Sequence, residues 1–373
     1  MELEGMFLPL TIFLAAWLIL YAVALKFKLE KYGLNVKPFL LIYKTQRFNN
    51  FLDWLAGKLA GILPALSNLS LALGFGMMAF GTFLLTRNIY YFFYKVEAAA
   101  PVFPAVPLIT VRESLPYFLI AATVLIAVHE LAHGVVARFE GIKVRSAGML
   151  LAAVIPGGFV EPDEEAFRKA ERGKRLRVLA AGSAANMALA LLLIPFMLGC
   201  FHPAGIVVGE VVEGWPAEKA GLQPGMVIVS VNGVPTPTLD AFRQQIKKAG
   251  VGSIVELEVR LPDGSFKVFH VEVAANPYNP KQPVIGISKV SHYIPFFTVY
   301  VALYWLHFWS LNVAIFNMLP IYPLDGDGLV YNLAEKFLKD KAKILRVGLT
   351  GFYLGILALN MSLTFGTFGW VSI

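Results

Sequence analysis

Cysteine is nearly absent from this chain of 373 residues: Cys200 stands alone, so no internal disulfide can form and oxidative stapling says nothing about compartment. Charge is scarce too. Only 15% of residues are Asp, Glu, Lys or Arg, against 57% hydrophobic ones, a balance too apolar for an ordinary water-soluble protein. No internal repeat or low-complexity tract is evident, which excludes a repeat array.

What the sequence has in quantity is long apolar runs. Crossing a hydrocarbon core of about 30 Å takes about 20 helical residues. Six runs meet that need, at approximately 6–25, 69–87, 117–139, 176–198, 294–316 and 344–362. The first could pass for a signal peptide, but Glu2 and Glu4 stand where a basic segment belongs, and Lys26, Lys28 and Lys31 follow it. It reads as a retained span.

A net charge of +7 suits nucleic acid unless the basic residues are placed otherwise. They sort by loop. Lys26, Lys28, Lys31, Lys37, Lys44 and Arg47 follow span one; Arg138, Lys143, Arg145, Arg168, Lys169, Arg172, Lys174, Arg175 and Arg177 separate spans three and four; Lys336, Lys339, Lys341, Lys343 and Arg346 precede span six. With the N terminus outside, all three groups are cytoplasmic, as the positive-inside rule expects. The excess therefore reports topology, and the expected surroundings are a lipid bilayer and no nucleic acid. Arg87, Lys95 and Arg112 alone mark the loop between spans two and three, which suits the outside. Cys200, at the outer end of span four, is expected to be a packing residue.

Two segments are neither spans nor ordinary loops. Residues 34–68, with Pro38, Asn49, Asn50, Asp53 and Pro64, should lie at the interface or fold against other helices. Ala147–Glu161 is too short to span and is broken by Pro156, Gly157 and Gly158, so a re-entrant hairpin sheltered by protein is expected. Residues 200–276 differ in kind, with dispersed charge, Gly and Pro turns, and period-2 stretches at Ile254–Arg260 and Phe266–Val273. They predict a soluble α+β domain, outside by the topology above. Its order, Gly205-Ile206-Val207-Val208, then Ala220-Gly221-Leu222, then Gly225–Gly233 and a helix near Leu239–Ala249, resembles a PDZ domain, although Met226 stands where such domains usually carry an acidic residue.

The strongest chemical signal is His129-Glu130-Leu131-Ala132-His133 inside the third run. Histidines four apart share one helix face, so both imidazoles can reach one Zn²⁺, with Glu130 placed as general base toward a water. Ionisable groups within a span cost roughly 2.5 to 3.5 kcal/mol for a central charge, and three in one turn are hard to explain as packing. Counted from Leu115 or Tyr117, His129 lies roughly 18 to 21 Å from the outer surface, toward the cytoplasmic side. A catalytic zinc commonly takes a third protein ligand. Asp325, in Asn317-Met-Leu-Pro320-Ile-Tyr-Pro323-Leu-Asp325-Gly326 after span five, is the candidate, with Asp327 as competitor; either could instead serve the turn at Gly326 and Gly328. His202, His270, His292 and His307 have no ligand spacing and read as structural.

HELAH in one span and NMLPIYPLDG after a later one, with a PDZ-like insert between, resemble the site-2 protease family of intramembrane zinc metalloproteases over roughly residues 117–362. Lys37-Pro38-Phe39 to Phe48-Asn49, with Trp54, is similar to the eukaryotic and archaeal branch. The resemblance implies Asp325 as third ligand of one zinc per chain, and matches a small-residue motif to Gly182-Ser183-Ala184-Ala185-Asn186. It also implies that Asn186 and Asn317 hold substrate or orient the site; interhelical hydrogen bonding is the plainer alternative for both. Gly182 and Ala185 are expected to permit close helix approach. A helix hides its own carbonyls, so a substrate must unwind before attack, and Gly157-Gly158-Phe159-Val160 is a candidate strand edge for it to pair with.

The expected architecture is mainly α and multi-pass: a six-helix bundle with a re-entrant hairpin and an inserted α+β PDZ-like domain. The divisions are 1–116, 117–199, 200–276 and 277–373. The expected partners are membrane-anchored proteins with a single transmembrane helix, some cut beforehand. A zinc-binding scaffold and an ion-path transporter are the other classes. Glu130 is superfluous to a scaffold, and matching Gly/Pro-broken spans in two halves are lacking for a transporter.

Overall fold

The computed structural model describes all residues except 1, 46, 108, 113, 153, 154 and 371–373. It divides into two compact units, one of Met1–Ile194 with Ala302–Ile373 and one of Pro195–Val301.

The first unit holds helices α1 (Glu2–Phe27), α2 (Arg47–Leu59), α3 (Leu63–Tyr94), α4 (Leu115–Phe139), α5 (Glu164–Lys169), most of α6 (Arg172–Cys200) and, after the second unit, the later part of α9 (Phe297–Asn317), α10 (Asp325–Leu338) and α11 (Ala342–Phe368), together with one small sheet. Among the described residues, five helical stretches are long and apolar enough to cross a membrane: Leu63–Tyr94, Leu115–Phe139, Arg172–Cys200, Phe297–Asn317 and Asp325–Phe368. Within α1 the described apolar stretch is shorter, Thr11–Phe27.

Strands β1 (Leu34–Lys37), β2 (Leu40–Thr45), β3 (Val144–Ala152) and β4 (Ile155–Pro162) form an antiparallel sheet in that order, leaving β4 at an edge. The hairpin expected at Ala147–Glu161 is thus a β-hairpin, and the segment expected at an interface or against other helices supplies, at its start, two strands in the same sheet, and then α2, which packs against α4. Hydropathy could not show this, because register depends on partners about a hundred residues away. Glu161 on β4 accepts from Ser146 Oγ at 2.6 Å and from Lys44 Nζ at 3.3 Å. The Ser146 hydroxyl foremost, and then the Lys44 ammonium, holds its carboxyl below the usual range.

Fully buried Leu52 of α2 sits with Val135 and Val136 of α4 and Val178 of α6 in one cluster. Met77 of α3, Ala180 of α6, Ala314 of α9, Met318 just after α9, and Leu329 of α10 form another. These two clusters fix α4, α6 and α10 side by side. Helix α4 stops at Gly141, whose φ of 77° suits glycine. Its last turn is closed by Ile142 N–H on Ala137 O at 2.8 Å.

The second unit contains α7 (Pro216–Lys219), α8 (Leu239–Ala249) and a sheet of strands at 266–272, 254–260, 227–231, 206–207 and 291–292 in spatial order. Burial alternates along Ile254–Arg260, and Val255, Leu257 and Val259 are fully enclosed, so the period-2 pattern was the core face. Thr238 caps α8, its hydroxyl accepting from Ala241 N at 3.2 Å. A boundary at 276 falls inside this unit: Ile287–Ser288 and Ser291–His292 pair with residues 206–211, and Ile285 is buried. Two-residue strands carry too little periodicity to be read from sequence. Inside the unit the segments leading into and out of the sheet meet, Ala204 N donating to Tyr293 O and Tyr293 N to Gly205 O, both at 2.8 Å. Cys200 is exposed rather than packed.

Candidate metal centre

Four turns into α4, His129 and His133 project from one face, and Asp325 arrives at the first turn of α10. The nearest donor atoms are His129 Nε2, His133 Nε2 and Asp325 Oδ2. Their separations are 3.0 Å between the nitrogens, 3.2 Å from His129 to Asp325 and 3.1 Å from His133 to Asp325. Zinc bonds of about 2.0–2.1 Å at tetrahedral angles place donors roughly 3.3 Å apart. The triad therefore has the spacing and the chemistry of a zinc ligand set, and it is a group among the described residues that could hold a metal ion.

The surroundings leave the right nitrogens available. His133 Nδ1 lies 2.6 Å from Val178 O, which accepts only if Nδ1 carries the proton; Nε2 is then a free lone pair. His129 Nδ1 lies 3.3 Å from the Asn186 amide, whose Oδ1 is buried without a partner. With that oxygen turned to the ring, Nδ1–H donates to it and His129 Nε2 is freed as well. Asn317 Nδ2 donates to Asp325 Oδ2 at 2.7 Å and to Ser183 Oγ at 3.2 Å, and lies 3.3 Å from His129 Nε2.

Space for a metal comes from α6. A Cβ at Gly182 would collide with His133 Nε2 and come within 2.6 Å of His129 Nε2. Ala180, Ala181 and Ser183 beside it are buried, so the helix lies flush against the imidazoles. Gly326 is required for a similar reason, since a Cβ there would strike Met318 O.

Glu130 is turned toward β4, where its Oε2 accepts from Val160 N at 2.7 Å. A Cβ at Gly158 would lie 3.7 Å from Glu130 Cγ, an ordinary contact. Phe159 points to the other face of the sheet, across Gly148 and 5.6 Å from Lys44 Nζ. The structure thus brings His129, Glu130, His133, Asn186, Asn317, Asp325 and Val160 together, sets Gly158 alongside, and turns the Phe159 side chain away. Asp327, the competing carboxylate, is held by Arg346 at 2.9 Å instead. Val178 O has no local signal in sequence, and Ser183 stood there only as a member of the small-residue motif. An open cleft of about 480 Å³ leads from the triad past Pro162, Phe167, Leu179 and Pro323. His307 Nδ1 pairs with Ala190 O at 2.8 Å and stands apart.

Two histidines one helical turn apart and a carboxylate from a distant segment, carried on long apolar helices, define a membrane protein of the HExxH metalloprotein class. The chain belongs to peptidase family M50, whose model matches residues 117–359. It is 32% identical to an uncharacterized protein of Methanocaldococcus jannaschii over 60% of this chain and 58% of that one. It is 30% identical to the membrane-bound transcription factor site-2 protease homolog of Arabidopsis thaliana, over 51% of this chain and 39% of the relative. To the regulator of sigma-E protease RseP of Escherichia coli it is 32% identical, over 35% and 36%. The chain therefore spans less than two thirds of each of these relatives. A PDZ domain of an SdrC-like protein from Listeria monocytogenes covers 23% of this chain and 86% of its own length, at 22% identity and a TM-score of 0.21.

Proposed function

We propose that this chain is an intramembrane zinc metalloprotease that hydrolyses a peptide bond in or near the transmembrane segment of membrane-anchored proteins. The observation that carries the proposal is the convergence of His129 Nε2, His133 Nε2 and Asp325 Oδ2 within 3.2 Å of one another, with Glu130 on the same helix turn. Bound there, one zinc supplies Lewis-acid polarisation of a peptide carbonyl and makes water more acidic. The residues do the rest. Asn317 holds the Asp325 carboxylate, Val178 O and Asn186 hold the imidazoles, and Glu130 takes a proton from water and returns it to the leaving amine. Its second oxygen is available for this while Val160 N–H holds the first.

With six membrane crossings, counting α1, and the N terminus and the second unit outside, this centre is proposed to lie toward the cytoplasmic side of the cell membrane. The loop distribution of Lys and Arg supports that orientation. Single-span substrates fit a site that must receive an unwound segment. Strand β4 is the proposed receiver, and its edge is narrowly defined. Val160 N–H faces outward to Glu130, so by strand periodicity positions 156, 158 and 162 share that edge. Pro156 and Pro162 have no N–H, which leaves Gly158 as the outward donor. The second unit is proposed to be PDZ-like. A cleft of about 500 Å³ beside α8, lined by Phe242, Ile246, Ile287, Arg243, Lys247 and Lys281, could dock a carboxyl terminus left by an earlier cut; alternatively the unit excludes substrates whose outer domains remain attached.

The test is Glu130→Gln in purified protein, with metal analysis and cleavage of a single-span substrate. Zinc is expected at the wild-type level, with turnover down about 10²–10⁴-fold. Cleavage undiminished in this variant, or a wild type that retains no zinc, would end the proposal; zinc and function both unaffected would favour a scaffold.

A further inference from the structure

Arg346, Thr350 and Tyr353 of α11, spaced i, i+4 and i+7, share one helix face. That face meets the segment from Asn317 to the start of α10 at three points. Tyr353 is buried against Leu319 and Ile321, and its hydroxyl lies 2.8 Å from Thr82 Oγ1. Thr350 Oγ1 accepts from Tyr322 N at 3.1 Å. Arg346 makes the firmest contact: Nε donates to Asp327 Oδ1 and Nη2 meets Oδ2, both at 2.9 Å, while the guanidinium lies 3.8 Å over the Tyr331 ring.

Asp327 is 5% exposed, and a buried carboxylate needs such a partner. Net stability is a weak reason for the pair, because an apolar replacement of equal shape commonly does as well. Orientation is a stronger one. A guanidinium fork bound at both oxygens fixes direction as well as distance. Asp327 stands two residues after Asp325 in the first turn of α10, a turn whose N-cap, Leu324, offers no side-chain hydrogen bond. Whatever turns Asp327 turns the third metal donor with it.

We propose that Arg346 is a positioning residue: by clamping Asp327 it sets the rotation of the first turn of α10, and thereby the place of Asp325 Oδ2 relative to the two imidazoles. This rests on the zinc reading above and touches none of the reacting atoms. It makes α11 a functional part of the metal centre although it contributes no ligand.

The experiment compares wild type, Arg346→Gln, Arg346→Lys, Asp327→Asn and the double Asp327→Asn/Arg346→Gln variant, as full chains in detergent. Zinc affinity, kcat, KM and thermal unfolding are measured on each. Arg346→Gln is expected to lose about 10- to 100-fold in zinc affinity and kcat, with KM changed less than about twofold. The double variant should recover toward Asp327→Asn, since no unpaired carboxylate is left, and Arg346→Lys should fall between. Should Arg346→Gln fail to fold, Asp327→Asn, which keeps the shape and loses only the charge, carries the test alone. Wild-type zinc affinity and kcat in these variants, or losses that simply add in the double, would overturn the proposal. A wild type without zinc removes the underlying reading and this inference with it, whereas a zinc-loaded, active wild type with unchanged variants removes this inference alone.

Discussion

At the scale of single residues, Asn186 separates two roles that its side chain alone leaves open. Its amide faces His129 Nδ1 at 3.3 Å, the ring nitrogen opposite to the one in the donor triad, which favours orienting the ligand over gripping a peptide. If so, Asn186→Ala lowers zinc affinity about 10- to 100-fold, and Asn186→Asp, which still accepts from Nδ1–H, restores most of it. Zinc titration of the two variants checks this. A substrate-binding role predicts a raised KM in both and intact zinc affinity. The shared face of His129 and His133 was legible in sequence because helical periodicity and a short motif are local features, whereas Asp325 stood beside Asp327 as a candidate and was preferred through resemblance. Asn186 came only through resemblance. The pairing of Asp327 with Arg346, and of His133 with Val178 O, was not legible at all, since each joins residues brought together by folding.

At the scale of elements, β4 ties Glu130, the proposed general base, to the sheet through Val160 N–H. A proline at 160 would therefore disturb Glu130 and substrate pairing together, and could not distinguish them. Gly158 can. Its virtual Cβ meets nothing closer than 3.7 Å, so Gly158→Ala is expected to cut at close to the wild-type rate. Gly158→Pro removes the outward N–H and should slow cleavage about tenfold or more, with zinc content unchanged. Equal rates in the two variants would show that the edge receives nothing. The sheet itself illustrates where sequence reading stops. The Gly and Pro of Ala147–Glu161 announced a hairpin, but Leu40–Thr45 pairing with β3 depended on register across the intervening α2, α3 and α4. The helices were clearer, because twenty apolar residues in a row admit few other structures.

At the scale of the whole molecule, the chain enters and leaves the sheet of the second unit at paired backbone, Ala204 with Tyr293 and Tyr293 with Gly205. Removing only residues 203–275 would strand Ile285 and the pairing segments 287–292 without their sheet. Excision of 204–293 behind a short flexible linker is the cleaner cut. Cleavage of precursors that still carry their outer domains is the outcome expected of an excluding unit, and loss of cleavage with zinc retained is that of a docking unit. Immunoblots of substrate together with metal content read both. Composition marked this unit out through its dispersed charge and alternating strands, yet missed its last segment, which enters the sheet in pieces of two residues.

The space between α6 and the two imidazoles exists because residue 182 has no side chain. A single methyl group there would clash with the nitrogens while leaving every donor in the sequence intact. Gly182→Ala is therefore expected to abolish zinc uptake by displacing the imidazoles or α6, with no donor residue replaced, and metal content of the purified variant checks this.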